Sequence, residues 1–245
     1  MMTYEEKTTF YISCMKELEN YDTPTVSNAV ATYPGDPDCL GLYEPHKTNW
    51  YTDERMHCLY PALAPRCGFA VTCVYGIPGM GFSRLGFVDI LKAIYDSPKP
   101  VILAMKQNMP EEYRRKNAMI GGNMMTAFHQ FNVIGVLGDG PARDKEEMEP
   151  LKIQAMFTGL AAGHGLMPVE AVNVPVSLCS MDIAPGEIIH MDMHGAVKFP
   201  AQYLPEVLAH TKKIAERDIE RQKRIMESGD PVEVANMMKG IYPNS

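Results

Sequence analysis

The sequence predicts a single α/β domain whose mixed sheet is wrapped by helices at both ends. Three observations carry that reading. Apolar runs of strand length alternate with amphipathic helical segments through the middle of the chain, from GFAVTCVYG (68–76) to NVIGVLGD (132–139). Strand-like runs then follow one another, in AVNVPVSL (171–178) and GEIIHMDMHGAVKF (186–199). Helical patterns open and close the chain. No low-complexity linker or internal repeat divides the 245 residues, a length that one domain can fill.

Each element has its own signal. TYEEKTTFYISCMKELENY (3–21) reads as a helix with Phe10, Cys14 and Leu18 on one face. In YDTPTVSNAVATYPG (21–35), Asp22 or Thr23 caps a short helix, Pro24 fits its first turn and Pro-Gly ends it. Residues 39–66 hold Pro, Asn, Asp and Tyr with little periodicity, which predicts a long loop with at most one short strand or turn. GFAVTCVYG is β-branched and glycine-bounded, a strand. FVDILKAIYD (87–96) is an amphipathic helix, and PVILAM (100–105) is an apolar run of strand length. NMMTAFHQF (123–131) is a helix with Met124, Ala127, Phe128 and Phe131 on one side, and NVIGVLGD is the next strand. PLKIQAMFTG (150–159) leads into the later strands. From Pro205 to about Glu227 a charged helix carries an apolar stripe of Val207, Leu208, Ile214, Ala215 and Ile219, with Glu216, Glu220 and Arg224 on its wet face.

Composition narrows the function classes. The net charge of −7 disfavours nucleic acid as a main partner, because phosphate binding needs concentrated Lys and Arg. No apolar run approaches the roughly 18 residues that cross a membrane. The six cysteines form no C-x-x-C pair and follow no signal-peptide pattern, which reads as free, mostly buried thiols in a reducing cytoplasm. Ser27, Ser83 and the cysteines lack the local signature of a nucleophile with its base.

Three stretches compete as sites. IPGMGFSRLG (77–86) follows a strand and precedes a helix, but Arg84 stands at the third glycine position of a dinucleotide fingerprint, so it reads as a plain Gly-rich loop. HMDMH (190–194) would place His190, Asp192 and His194 on one strand face, a donor set for Zn or Fe. Gly195 follows at once, however, so a strand entering a hairpin turn is the simpler reading. The strongest constellation is GGNMMTAFHQFNVIGVLGDGPARD (121–144). Gly121 and Gly122 open a helix that Asn123 can cap, leaving the N–H groups of Met124 and Met125 as an anion site. In a helix–strand unit the helix start meets the strand's C-terminal end, here Asp139-Gly140 and then Arg143-Asp144. Backbone N–H donors, a guanidinium fork and a carboxylate would together suit a small 2-oxo acid with a divalent metal. Arg143 would take the acid's carboxylate and Asp144 would hold Mg²⁺. The alternative is an Asp-Gly turn with a surface Arg–Asp pair.

In this order the motifs resemble the RraA-like family, which includes class II pyruvate aldolases cleaving 4-hydroxy-4-methyl-2-oxoglutarate and regulators of ribonuclease E activity. The resemblance runs roughly from Asp22 to Glu227. Its motifs are the glycine-opened helix start at Gly122-Asn123-Met124-Met125 and the turn Asp139-Gly-Pro-Ala-Arg143-Asp144. TPTVSNAV, CGFAVTCV, VNVPV and APGEIIHMDMHGAVKFP match in order. The resemblance implies a swivelling β/β/α fold assembled as homotrimers or homohexamers, with sites near subunit interfaces. It further implies Mg²⁺ or Mn²⁺ held at Asp144, Arg143 on the pyruvyl part, and the Met124 and Met125 N–H groups on its carboxylate. Asn123 stands where the aldolases usually have an acid, Asn28 where the family often has Asp, and His190 and His194 where acids are common. The expected activity is a metal-dependent lyase on a 2-oxo acid, with possible oxaloacetate decarboxylation. The alternative is a non-catalytic regulator that binds a protein partner.

Overall fold

The computed structural model describes residues 4–77 and 85–242. In chain order the elements are α1 (Tyr4–Leu18), α2 (Thr23–Val30), β1 (His57–Cys58), β2 (Arg66–Tyr75), α3 (Phe87–Asp96), β3 (Val101–Gln107), α4 (Glu111–Arg114), α5 (Gly122–His129), β4 (Val133–Gly138), α6 (Lys145–Met148), β5 (Gln154–Phe157), β6 (Val169–Val172), β7 (Val176–Leu178), β8 (Met181–Ile183), β9 (Ile188–Asp192), β10 (Gly195–Phe199), α7 (Leu204–Glu227) and α8 (Pro231–Met238). The sheet is mixed, in the order β1-β5-β4-β3-β2-β9-β10, with β6 also on β2. Strands β2, β3, β4 and β5 run parallel; β1, β6, β9 and β10 are antiparallel to their neighbours.

The ten-residue β2 shares one edge between two partners, Arg66–Phe69 with β9 and Cys73–Tyr75 with β6. At the sheet's far ends, Tyr51 bridges Val197 on β10, and His57 pairs with Phe157 on β5. The loop from 51 to 57 thus spans the gap between the outer strands and brings the sheet close to a barrel. That long segment contains a single two-residue strand, as its lack of periodicity predicts. Trp50 anchors it, buried between the stacked ring of Tyr43 and the edge-on ring of Tyr51.

Burial on both faces explains the unbroken apolar run of β3. Val101, Leu103 and Met105 join a core under α3 and α5 that includes Ile90, Ile94 and Phe128. Ile102 and Ala104 face the opposite core, which the β7–β8 hairpin covers with Val176, Leu178, Met181 and Ile183. A third cluster seats α1, α2 and α7 on β9 and β10 through Leu18, Val26, Val30, Phe199, Leu204 and Val207. The α2 start is as read: the Asp22 side chain accepts from the Thr25 N–H at 3.0 Å.

Some local expectations need correction. AVNVPVSL is two strands, because Asn173 takes a left-handed backbone, φ 50°, between β6 and β7. The α7 stripe ends near Ile214, and Ile219 is 69% exposed. Phe10 is also largely exposed, unlike Cys14 and Leu18. Helices α4 and α8 were not anticipated; α8 is capped by Asp230 on the N–H groups of Val232 and Glu233. Among the described residues no helix is long and apolar enough to cross a membrane.

His190 and Asp192 hold the helical N-terminal segment to the sheet. The Nε2–H of His190 donates to the Leu18 carbonyl at 3.2 Å, and Nδ1 accepts from the Thr23 hydroxyl at 3.0 Å. Asp192 accepts from the N–H of Thr23 and of His194, both at 2.8 Å. His194 lies in the β9–β10 turn, so HMDMH is a strand and its turn, as the simpler reading had it. Burial pushes the His190 pKa from 6.5 down to about 4. The unfolded chain therefore binds the proton first as pH falls through that interval. Stability should be full above the unfolded value and fall by about 3 kcal/mol toward pH 4 from this residue alone. Urea titrations from pH 7 to pH 4 should show a shallower decline in His190→Gln than in the natural chain; equal slopes would refute this account.

Candidate functional site

The parallel strands β2, β3 and β4 end at Tyr75, Gln107 and Gly138, and the chain's chemistry gathers at that edge. This is where open α/β sheets place their ligands. Asp139, directly after β4, is buried to 6% exposure. Its carboxylate meets the Lys106 ammonium at 2.7 Å and the Arg114 guanidinium at 3.2 Å, and it accepts the Gln107 N–H at 2.7 Å. Gly140 follows because a side chain there would overlap the Gln107 amide and Met119. Gln107 in turn exchanges amide bonds with Asn117: its Nε2 donates to the Asn117 carbonyl and its Oε1 accepts from Asn117 Nδ2, each at 2.9 Å.

The DGPARD turn is stitched to the loop entering α5. The Met119 N–H donates to the Pro141 carbonyl at 2.8 Å, and the Arg143 N–H to the Ile120 carbonyl at 3.0 Å. Asp144 then adopts a left-handed backbone, φ 56° and ψ 39°, a region that Asp tolerates better than most residues. Its Oδ2 accepts from the Gly122 N–H at 3.1 Å and from Arg143 Nε at 3.2 Å. A Cβ on Gly121 would overlap that carboxylate. This contact, and not flexibility, is what the first glycine supplies.

The turn and the helix start therefore meet, as the helix–strand geometry requires. Asn123, Met124, Arg143 and Asp144 line one cavity of about 190 Å³, with His164 and Met167 across from them. Two details differ from expectation. The cap is Gly121, and Asn123 lies inside the first turn. Met125 is buried and its N–H donates to the Gly121 carbonyl at 3.0 Å, so it is not a ligand donor. By helix geometry the donors left at this end are Gly122, already on Asp144, and then Asn123 and Met124.

Sequence reading missed His164. It sits in a glycine-bounded loop without period, held where the Gly165 N–H donates to Asn117 Oδ1 at 2.6 Å and the Ala118 N–H to the Gly163 carbonyl at 3.1 Å. The ring's Nδ1–H donates to the Gly165 carbonyl at 2.9 Å, which leaves Nε2 as an acceptor. A larger apolar cavity of about 450 Å³ adjoins, sharing Asn123, Met124 and His164 and walled by Leu85, Phe87 and Leu166. The Gly-rich stretch at 77–86 lies mostly at 78–84, outside the described residues.

The donor set at Asp144 is oxygen. Its Oδ2 is committed to protein donors, and Oδ1 is bonded to none of the described residues. One carboxylate oxygen fits Mg²⁺ or Mn²⁺, ions that draw most of their ligands from water and substrate. Among the described residues no group of three or more His, Cys, Asp or Glu is placed so that it could hold a metal ion by itself. The six cysteines are free thiols, and burial holds Cys73 up at about 12, as befits packing residues.

Asp139 and Asp144, five positions apart, should respond differently to substitution. Asp139→Ala removes a buried carboxylate that serves two partly exposed cations and the Gln107 N–H and should cost about 1–3 kcal/mol in urea unfolding. Asp144→Asn keeps the left-handed preference at a partly exposed pair and should cost less than about 1 kcal/mol. A reversed order would overturn this division of labour.

Comparisons with known proteins bear on the family and the fold. The family model described as RraA-like: Aldolase/RraA matches residues 23–198. An uncharacterized protein of Methanocaldococcus jannaschii, MJ0644, is 31% identical over 106 residues, 43% of this chain and 51% of that protein. The chain thus spans about half the length of the curated relative it matches. Among solved structures, an uncharacterized protein from Pseudomonas syringae pv. tomato superposes with a TM-score of 0.69 at 20% identity, over 93% of this chain and 94% of that one. Streptomyces coelicolor RraAS2, an unusual member of the RNase ES inhibitor RraA protein family, superposes at 0.63 and 16% identity, over 86% and 96%. At such identities these two show a shared fold. With the family model covering most of the sheet, the DGPARD turn and the glycine-opened helix, the chain belongs to the RraA-like (Aldolase/RraA) family.

Proposed function

We propose that this chain is a divalent-metal-dependent lyase that cleaves a small 2-oxo acid by way of a pyruvate enolate. The observation that carries the reading is the convergence of Arg143, Asp144 and the α5 start on one cavity of about 190 Å³. Drug-sized ligands occupy about 300–1,000 Å³, so this space suits a short acid. The family's aldolase members support the same reading.

The substrate carboxylate sits on the N–H groups of Asn123 and Met124 and on the Arg143 fork. Asp144 would hold the Mg²⁺ or Mn²⁺, which when bound polarises the keto oxygen. In a retro-aldol step the C3–C4 bond breaks and its electron pair moves onto the keto group as an enolate. The 4-hydroxyl gives up its proton, and a proton then returns to C3. Oxaloacetate would lose CO₂ from C3 by the same electron flow. Arg143 stabilises the developing oxyanion. His164, which lines the cavity and has Nδ1 held by the Gly165 carbonyl, carries the proton. Asn123 cannot titrate, so it is limited to hydrogen bonding. The homotrimer or homohexamer implied by the resemblance belongs to the same proposal.

A second reading, a non-catalytic regulator gripping a protein partner, is favoured by a different feature. The α7–α8 arm exposes Ile219, Met226, Val232 and Met238, apolar surface that a partner would cover.

The test is pyruvate release from a panel of 4-hydroxy-2-oxo acids and from oxaloacetate, with Mg²⁺, Mn²⁺ or EDTA. Release should require the metal. Arg143→Ala should lower kcat at least about a hundredfold with the fold intact, and His164→Gln by about a hundredfold. Full activity in Arg143→Ala, or none from any compound in the natural chain, would remove the lyase reading and leave the regulator.

A further inference from the structure

At the opposite end of the parallel strands lies a second cavity, of about 510 Å³. Its walls come from α1 and from the segments that lead into β2, β3, β4 and β5: Arg66 and Cys67, Lys99 and Pro100, Asn132 and Val133, Lys152 and Ile153. Four basic side chains, Lys16, Arg66, Lys99 and Lys152, line it together with His129. Among the described residues the one carboxylate in the lining is that of Glu19, on a chain whose net charge is −7. Random placement of charge on an acidic protein does not concentrate cations in one concavity.

The bland explanation is that these cations serve backbone carbonyls. For two of them it is correct. Lys99 Nζ donates to the Ile94 carbonyl in the last turn of α3, and the Arg66 guanidinium donates to the carbonyls of Pro65 and Lys152, each at 3.3 Å. Neither bond neutralises a charge. Lys16 and Lys152 have no side-chain partner among the described residues, and none of the four is within ion-pair distance of a carboxylate there. The Glu19 Oε1 accepts the Cys67 N–H at 3.1 Å, and its charge is felt by Arg66 and Lys16, as that of Asp96 is by Lys99, which leaves positive charge in excess around the cavity.

We infer that this basic cavity binds a small polyanion of the phosphate class, distinct from the substrate of the candidate site. Arg66 and Lys99 are half-buried and held by carbonyl contacts, and the exposed Lys16 and Lys152 complete the basic lining. Ile12, Val133 and Ile134 offer an apolar wall for a ligand larger than phosphate itself. Because α1 precedes the segment matched by the family model, the wall formed by Ile12, Met15, Lys16 and Glu19 is built outside that segment. The site also touches the far ends of both pieces that build the candidate site. Helix α5 starts there at Gly122 and ends here at His129, and the segment that leaves it at Asp144 arrives here at Lys152. The ligand therefore has the position of an effector.

The experiment is calorimetric titration of sodium pyrophosphate in EDTA at constant ionic strength, so that no metal bridges the anion to Asp144. Four proteins are compared: the natural chain, the double variant Lys16→Glu with Lys152→Glu, the charge-matched control Lys213→Glu with Lys223→Glu, and Arg143→Ala. Lys16 and Lys152 are exposed, so the double variant should fold normally, as judged by its thermal midpoint without ligand. The natural chain should bind, and the double variant should bind at least about tenfold more weakly. The control and Arg143→Ala should match the natural chain within about twofold. Equal binding by the double variant, loss of binding in Arg143→Ala, or no binding by the natural chain would each overturn the inference.

Discussion

The buried carboxylate of Asp139 is the constraint on which the working edge of this protein depends. A lone charge at that depth would be untenable, and it persists because Lys106, Arg114 and the Gln107 N–H converge on it. Those partners come from the end of β3 and from α4, so the ion cluster joins two strand ends and a helix at one point. Gly140, Pro141 and Arg143 inherit their positions from it, and through the Met119 and Ile120 backbone so does the start of α5. The candidate site is thus a consequence of a structural ion cluster one turn away.

Local pattern made much of this legible. β2 and α3 announce themselves because β-branched runs and amphipathic spacing are written in consecutive residues. The meeting of Gly121–Gly122 with Arg143–Asp144 was legible as well, because a helix–strand unit allows only one arrangement of its ends. What escaped was set by distance in sequence. Arg114 is 25 positions from Asp139, and α4 has only four residues, too few to show a period. His164 owes its place to Asn117, in a glycine-rich loop that carries no periodicity.

The errors at the site have the same origin at smaller scale. A reading of side chains gave the cap to Asn123, the best capping residue in the stretch. The structure gives it to Gly121, because the Asp144 carboxylate, arriving from another segment, needs the space a Cβ would take and bonds the Gly122 N–H itself. That move displaces the available N–H groups by one residue, from Met124 and Met125 to Asn123 and Met124. A tertiary contact thus decides which backbone groups of a helix face the ligand.

The loop that spans the outer strands has a further effect. Trp50 and Thr52 take up the free backbone groups of β10: the Lys198 N–H donates to the Trp50 carbonyl at 2.9 Å and the Thr52 N–H to the Ala196 carbonyl at 3.0 Å. On the other side the terminal strand, β1, is only two residues long. The two ends of the β1-to-β10 path, among the described residues, therefore offer little template for an incoming strand, the usual route to fibrillar misassembly. Strand addition at either end of that path meets backbone that is already occupied or a strand too short to pair with.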